Sequence, residues 1–165
     1  YVVNMGDKTD IQIGNRVYCR GLLRRGPRGN GKIIIHDEVY IGDDCIISSE
    51  NHVEIGSLTL LAHRVSVFDS VGHPTDPVLR ERDWRITMNQ ITGERPKADS
   101  SPIRIGNRVW IGFNSTIMRG VVIGDNAIVA ANSVVLNDVK PNTIVAGNPA
   151  KQVRDFSDEF IRRVD

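Results

Sequence analysis

The sequence predicts an all-β solenoid, a coil of short stacked strands, on two observations. The first is that an aliphatic residue recurs at every sixth position: Ile105, Ile111, Ile117, Ile123, Val129 and Val135. The second is that the residues one and four places after each aliphatic are mostly small or β-branched. A helix repeats its apolar residues every 3.6 positions and a half-buried strand every second one, so a period of six indicates a repeat unit.

The six-residue unit predicts a three-sided coil. Each unit supplies a short strand rich in Ile and Val, followed by a tight corner. Three units close one turn, and successive turns stack as parallel strands about 4.8 Å apart. We therefore expect Ile105 to lie directly against Ile123 in the next turn. The corner pairs Gly106–Asn107 and Gly124–Asp125 suit the unusual φ angles of tight corners.

The same period occurs earlier in the chain. Its units begin with Ile35, Ile41, Ile47 and Val53, slip by two residues, and resume at Ile55, Leu61 and Val67, with a further unit at Ile13–Val17. The alternative is a β-sandwich of many short strands. A sandwich has no reason to keep a strict count of six over six consecutive units, so the solenoid is preferred.

Three segments depart from the repeat. Residues 20–32 predict a glycine-rich bulge or irregular corner. Residues 69–104 predict one long extruded loop, and a loop of this length without regular structure is uncommon unless it is functional. The tail predicts a short C-terminal helix over about residues 157–165, with Ser157 as its N-cap.

Length and charge bound the remaining possibilities. A chain of 165 residues fits a single domain over residues 1–165. The net charge of +1 argues against nucleic acid or an acidic membrane surface as a partner. No apolar run approaches the roughly 20 residues that span a bilayer, and no signal peptide is visible, so a cytoplasmic location is expected. Cys19 and Cys45 predict buried free thiols rather than a disulfide.

Four motifs point to a known family: Gly72-His73-Pro74, Ile105–Gly112, Ile123–Ala127 and Val145–Lys151. With them, residues 35–154 resemble the hexapeptide-repeat acyltransferases, in the group that contains galactoside, maltose and polysaccharide O-acetyltransferases. The resemblance implies a left-handed parallel β-helix and a homotrimer with active sites between subunits. It also implies acetyl-CoA as co-substrate, a sugar or glycan hydroxyl as acceptor in polysaccharide biosynthesis, and no metal.

Acyl transfer from a thioester needs a base, a donor for the developing oxyanion, and aligned substrates. Histidine suits the first task because its pKa lies near neutrality. His73 opens the long loop, and the resemblance implies that it is the general base of a direct transfer. Asp69, four residues earlier, is expected to orient its imidazole. The remaining histidines are expected on the surface: His36, His52 and His63.

The resemblance implies that CoA lies along the coil and is held by main-chain groups. The backbone N–H of Phe113 matches the donor to the thioester carbonyl, and Ala131 matches a second CoA contact. Relatives often carry a small polar residue at the position of Phe113, so a side-chain hydrogen bond is lost here. They place Thr-Lys where this chain has Leu136 and Asn137, which puts a phosphate-binding lysine at that point in doubt.

Basic residues near the end of the repeat match the positions used for CoA phosphates, namely Lys151 and Arg154. Trp110 is too bulky for the interior of the coil and is expected to point outward. By the resemblance it forms a wall of the pantetheine or acceptor site; the alternative is packing against a neighbouring subunit.

The acceptor is the least constrained part. Tyr40 matches the acceptor pocket of the galactoside enzymes, but Gly42 stands where those enzymes carry a sugar-contacting Asn, so galactoside itself is in doubt. The long loop is rich in arginine and carries Trp84 and Arg85, which are expected to contact the acceptor. These residues suggest an anionic glycan or a nucleotide-linked sugar.

The same fold occurs with three other kinds of function. A zinc enzyme of the γ-carbonic-anhydrase type needs three converging histidines with a His-x4-His pair, and this spacing does not occur. A non-catalytic scaffold has no need of the His73 motif. N-acetylation of an amino sugar or of an antibiotic-like acceptor stays open, because one histidine base serves either nucleophile.

Overall fold

A computed structural model describes residues 1–157 as a left-handed parallel β-helix. Its strands are β1 (Val2–Asn4), β2 (Ile11–Ile13), β3 (Tyr18–Cys19), β4 (Leu22–Arg25), β5 (Lys32–Ile35), β6 (Tyr40–Ile41), β7 (Ile46–Ser49), β8 (His52–Ile55), β9 (Leu60–Leu61), β10 (Ser66–Phe68), β11 (Ile103–Ile105), β12 (Trp110–Ile111), β13 (Thr116–Met118), β14 (Val122–Ile123), β15 (Ile128–Val129), β16 (Val134–Val135), β17 (Thr143–Gly147) and β18 (Ala150–Asp155). A 3-10 turn covers Lys8–Asp10, and helix α1 covers Pro77–Thr87.

The strands form three faces of a prism. Face A has the order β1-β4-β7-β10-β13-β16, face B has β14-β11-β8-β5-β2, and face C has β18-β17-β15-β12-β9-β6-β3. Ile105 pairs in parallel with Ile123, which confirms the predicted stacking. Only the terminal β17–β18 hairpin pairs antiparallel among the named strands of residues 1–157, so the β-sandwich alternative is excluded.

The first aliphatic of each hexapeptide points into the prism. Ile41, Ile47, Ile111 and Ile117 are all 0% exposed. Neighbouring strands bring these side chains into rows, and each coil buries its apolar residues only because the next coil covers them. The outward positions between them are mostly polar. The interior is therefore a continuous column of aliphatic side chains, as the period predicts.

The corner glycines are needed for a different reason from the one predicted. The left-handed φ angles fall two residues later, at Arg108 (54°) and Asn126 (61°), and not at Gly106 or Gly124. A Cβ on Gly106 would lie 2.9 Å from the backbone nitrogen of Asp125 in the next coil. Glycine is required there because two backbones pass too closely for a side chain.

The interruptions are more regular than expected. Within residues 20–32, β4 continues face A, and only residues 26–31 form the glycine-rich loop. The segment at 69–104 contains α1, which Asp76 caps by accepting hydrogen bonds from two backbone N–H groups of its first turn. The predicted C-terminal helix over 157–165 lies outside the described residues beyond its first position.

The two cysteines do not form a disulfide. Cys19 and Cys45 are both free, as predicted, but only Cys45 is buried. Cys19 pairs in register with the inward Ile41, but it lies on β3, the edge strand of face C, where no further coil covers it. Among the residues described, no helix has the length and apolar character needed to cross a bilayer.

A matched pair of substitutions in β14 tests the inward register. Ile123 is 1% exposed and its neighbour Val122 is 45% exposed. Ile123→Ala should lower the free energy of unfolding by about 3 kcal/mol, because it leaves a cavity in a packed core. Val122→Ala should change it by less than about 1 kcal/mol. Urea unfolding at one protein concentration measures both, and equal effects would contradict the register.

Candidate active site

His73 stands where the chain leaves face A after β10. The segment that leaves the coil here, residues 69–104, is called the excursion below. An antiparallel bridge between Ser70 and Ser100 joins its two ends. Gly72 follows with a φ of +80°, although no atom lies within 4 Å of the position that a Cβ would take. Glycine is used here for its backbone conformation, and this turn projects the His73 side chain, which is 57% exposed, away from the prism.

A buried carboxylate holds the imidazole. Asp83, on the inner side of α1, is 0% exposed, and its Oδ2 lies 2.6 Å from Nδ1 of His73. The Nη2 atom of Arg28 lies 3.0 and 2.8 Å from Oδ1 and Oδ2 of the same carboxylate. Arg95 donates from Nε to Oδ1 over 2.8 Å. Two guanidinium groups and one imidazole therefore share a single carboxylate.

The surroundings of Asp83 keep it ionised. Burial by itself would raise the pKa of the Asp83 carboxyl, but the hydrogen bonds from Arg95 and His73 and the charge of Arg28 outweigh it, and the net pKa is lowered. An ionised carboxylate only accepts hydrogen bonds. The Nδ1 atom of His73 must therefore carry a proton in this contact, so Nε2 is the nitrogen that can accept a proton when the ring is neutral.

Arg28 reaches this carboxylate from the glycine-rich loop 26–31. The loop lies against the corner at residues 49–51, and a Cβ on Gly29 would come within 2.2 Å of the Glu50 carbonyl oxygen. The backbone N–H of Arg28 donates to Oε2 of Glu50 over 2.8 Å, and its guanidinium also donates to the carbonyl of Gly72. The segment predicted as a bulge is thus the arm that fastens the excursion to the coil.

The orienting role predicted for Asp69 is wrong. Its carboxylate is fully buried and accepts hydrogen bonds from Oγ of Ser49 and from the backbone N–H groups of Glu50 and Asn51, at 2.7 to 2.8 Å. These contacts fix the corner on which the Arg28 loop rests. Asp69 therefore stabilises the corner beneath the Arg28 loop and does not contact the imidazole.

Asp83 was missed because its position depends on a helix that the sequence analysis did not predict. A usable signal was present: Asp76 followed by Pro77 is a typical helix start, with an N-cap and a proline at the first helical position. A helix over the next residues would have raised the question of which acidic side chain it buries. Arg28 offered no comparable signal, since it lies 55 positions from Asp83.

A cavity of about 210 Å³ opens beside the imidazole. Most of the side chains that line it are polar or charged, and one is aromatic. Besides His73, its lining includes Arg24, Ser48, Glu50, Phe68 and Ser70. Arg28 and Arg95 also line it, together with Pro27 and Gly72. Hydroxyl, charged and aromatic groups therefore meet within reach of the candidate base.

The positions expected to hold CoA lie at the corner between faces C and A. Phe113 and Ala131 occupy equivalent places in successive coils, and the carbonyl of Phe113 accepts the N–H of Asn132 over 3.0 Å. No hydrogen bond formed within residues 1–157 uses the N–H of Phe113 or of Ala131. At the corner between faces B and C, by contrast, the N–H of Asn107 donates to Oδ1 of Asp125 over 2.8 Å.

The residues at the positions matched to the far end of CoA lie near the terminal hairpin. Asn137 and Lys151 both line a cavity of about 280 Å³ there. Arg154 lies further along β18, paired with Ile144 of β17. Asn137, Lys151 and Arg154 therefore all lie at the same end of the prism.

Trp110 points outward, as predicted, and is 52% exposed. It belongs to a row on face C in which Leu60 separates it from Tyr40. The ring of Tyr40 stacks on that of Tyr18, with centroids 5.3 Å apart. Neither Tyr40 nor Trp110 lines the cavity beside His73 of the same chain.

The two loop residues expected to contact the acceptor also lie away from this cavity. Trp84 is 52% exposed on α1, and Arg85 donates to Oε1 of Glu81 one turn earlier over 2.9 Å. Neither side chain lines the cavity. Because Asp83 faces the interior, the residues that directly follow it on the helix face other directions.

The other histidines lie at the surface or are half-buried. His36 contacts Glu54 at 2.9 Å, and Nδ1 of His63 accepts the backbone N–H of Asp43. No group of three or more His, Cys, Asp or Glu side chains placed to hold a metal ion occurs in the described part of the chain.

Comparison with known proteins agrees with this architecture. The family model described as "Bacterial transferase hexapeptide (six repeats)" matches residues 102–137. The "Putative lipopolysaccharide biosynthesis O-acetyl transferase WbbJ" of Escherichia coli (strain K12) is 36% identical over 161 residues, which are 95% of this chain and 74% of that protein. The chain belongs to the hexapeptide-repeat acetyltransferases.

Two further similarities bear on the site. A galactoside acetyltransferase solved in complex with coenzyme A superposes with a TM-score of 0.69 at 30% identity, over 90% of this chain and 66% of that one. A chloramphenicol acetyltransferase of Agrobacterium fabrum (strain C58 / ATCC 33970) is 43% identical over 133 residues, 76% of this chain and 56% of that protein. The predicted class, an acetyl-CoA-dependent acetyltransferase, is confirmed.

The lowered pKa of Asp83 gives a prediction for stability. The pKa of this carboxyl is lower in the folded chain than its ordinary value of about 3.9 in the unfolded chain. Its stabilising contribution is therefore complete above pH 3.9 or so and is lost as the pH falls through the folded-state pKa. Asp83→Asn should be less stable than the parent at neutral pH, and the difference should shrink in acid.

Urea unfolding of both proteins between neutral and acidic pH measures this difference. Asp76→Asn is a suitable control, because its carboxylate caps a helix and is exposed to solvent. A difference between Asp83→Asn and the parent that stayed constant with pH would contradict the ionised pair.

Proposed function

We propose that the protein transfers an acetyl group from acetyl-CoA to a hydroxyl of a sugar or glycan, with His73 as general base. The observation that carries the proposal is the contact of 2.6 Å between the exposed imidazole and the buried carboxylate of Asp83. It fixes the ring and its tautomer, and it leaves Nε2 at the mouth of a cavity. A histidine without a role would have no need of a carboxylate held by two arginines.

The reaction is a direct transfer in a ternary complex. The acceptor hydroxyl donates a hydrogen bond to Nε2 of His73, and its proton moves there as the oxygen attacks the thioester carbonyl carbon. The tetrahedral intermediate then breaks its C–S bond, and the departing CoA sulfur takes the proton from the imidazolium. The charge of Asp83 stabilises the imidazolium between these two steps.

The oxyanion needs a donor, and the N–H of Phe113 is the candidate implied by the family. Its support here is that the N–H of Phe113 and that of Ala131 in the next coil have no partner within residues 1–157. The CoA chain would then follow this corner toward the cavity lined by Asn137 and Lys151. The positive charges of Lys151 and Arg154 suit the phosphates.

The complete site would lie between two subunits of a homotrimer. His73 and its cavity border face A, whereas Trp110 lies on face C and Phe113 at the end of that face. Face C carries a row of exposed apolar side chains, including Tyr18 at 51% and Leu60 at 41% exposure, which favours burial against another subunit. His73 of one chain would then act on CoA held by its neighbour.

The supply of acetyl-CoA favours action in the cytoplasm.

A sugar hydroxyl is supported by the cavity. Ser48 and Ser70 offer hydroxyl groups and Phe68 offers an aromatic face, a mixture that suits the polar rim and apolar faces of a saccharide. The relative named for lipopolysaccharide biosynthesis agrees with this class. The relative named chloramphenicol acetyltransferase supports a second candidate, transfer to a hydroxyl of an antibiotic-like acceptor.

A screen of acceptors with acetyl-CoA tests both candidates. Neutral sugars, acidic sugars, amino sugars and chloramphenicol are offered in turn, and release of the CoA thiol is measured. His73→Ala should lower kcat by at least about 100-fold with the acceptor that is used, as expected for loss of a general base. His36→Ala, which removes a histidine that contacts Glu54 outside the site, should leave kcat unchanged.

Full activity of the His73→Ala protein would reject His73 as the base. Binding of CoA should be measured on the same variant, since a lower kcat with unchanged CoA affinity separates lost chemistry from a damaged fold.

A further inference from the structure

One guanidinium in the cavity beside His73 has no acidic partner. Three arginines line this cavity. Arg28 and Arg95 are both bound to Asp83, at 2.8 Å in their shortest contacts. Arg24 is exposed on β4, and its side chain forms neither a hydrogen bond nor an ion pair with any residue from 1 to 157. It is the only one of the three arginines that is free to bind a ligand.

Arg24 is the last residue to line the cavity in a row of paired residues on face A, which continues past it to Val3 of β1. It pairs in register with Ser48, and Ser48 pairs with Phe68 on the following strand. At about 4.8 Å per strand, the row from Phe68 to Arg24 is about 10 Å long. It presents an aromatic face, a hydroxyl and a guanidinium in sequence.

The charges of the cavity favour an anion at this end. Two guanidinium groups, those of Arg28 and Arg95, share the one carboxylate of Asp83, so one of their two positive charges is not neutralised by it. Glu50 is the one acidic residue that lines the cavity, and one of its oxygens is taken by the backbone N–H of Arg28. With Arg24 included, three guanidinium charges face two carboxylates. The excess positive charge attracts an acidic group.

We propose that the acceptor is an acidic saccharide, whose carboxylate or phosphate binds Arg24 while its reacting hydroxyl lies at His73. The proposal rests on the proposed function and names its substrate class. A planar guanidinium binds either anion with two parallel hydrogen bonds, which fixes the orientation of the sugar as well as its charge. Arg24 thereby determines which hydroxyl reaches Nε2.

The arginines of the excursion are not placed to provide this contact: Arg95 is bound to Asp83, and the others do not line the cavity, namely Arg80, Arg82 and Arg85. Arg80 donates to the carbonyl oxygens of Pro74 and Thr75, and Arg85 donates to Glu81. The acidic acceptor suggested by the composition of the loop is therefore assigned to a residue of the coil, two strands from the excursion.

Calorimetric titration with CoA present tests the assignment. The probes are glucuronate and galacturonate as carboxylates and glucose 6-phosphate as a phosphate, with glucose and galactose as their neutral counterparts. We expect at least one acidic probe to bind at least tenfold more tightly than its neutral counterpart. Arg24→Gln should abolish that advantage, and comparison of the carboxylates with the phosphate identifies the preferred anion.

Arg104→Gln is the matched control. Arg104 is also an exposed arginine within a strand of the coil, but it lies in β11 on face B, away from the cavity. Its replacement should leave the binding of every probe unchanged. Since both arginines are exposed, neither substitution should unfold the chain, and thermal unfolding checks this directly.

The outcomes separate this proposal from the proposed function. Equal binding of acidic and neutral probes, no binding of any acidic probe, or equal loss in both variants would overturn the role of Arg24. Thiol release with the acidic probes at the same rate in the parent and Arg24→Gln would overturn it too, while the transferase function stands. Acidic probes that bind through Arg24 without thiol release would support the anion site and reject the transferase function with these acceptors.

Discussion

Stacking of coils at the spacing of paired strands is the constraint on which the rest of the structure depends. Each coil must place its aliphatic residues over those of the coil before, because a single coil cannot bury its own apolar face. The same spacing brings corner backbones so close that Gly106 and Gly112 leave no room for a Cβ. The left-handed φ of the corner is then taken by a later residue such as Asn114.

The excursion works only because it is fastened to this rigid frame. The fastening runs in steps: Asp69 holds the corner at 49–51, the corner supports the glycine-rich loop, and Arg28 from that loop binds Asp83. Both carboxylates are fully buried and hydrogen-bonded, so removal of one partner leaves a charge without compensation. A site built in this way keeps the imidazole in place although half of its surface is in solvent.

The coil and the excursion contribute different parts of the site, so the acceptor can change while the repeat stays the same. The corner between faces C and A repeats with every coil and presents backbone groups, which suits a co-substrate shared by many enzymes. The cavity beside His73 draws instead on the irregular parts of the chain and on outward side chains such as Arg24 and Phe68. These positions face solvent, so they can change without disturbing the core.

By itself, the sequence determined the solenoid, its register, the outward direction of Trp110 and the exposed place of His73 at the start of the excursion. It could do so because a six-residue repeat is local, and each unit states its own inward and outward positions. It did not determine the partner of His73. Nearness in sequence favoured Asp69, but the chain turns away at Gly72, and α1 brings Asp83 to the ring instead.

Only the tertiary structure decided which side chains share the cavity. Arg24, Arg28 and His73 come from separate segments. No period links Asp83, which holds His73, to Arg28 in a loop of the coil 55 positions away. Contacts of this kind depend on how an irregular segment folds back onto a regular one. A repeat fixes the frame on which such a segment lies, but it carries no information about where the segment's own side chains come to rest.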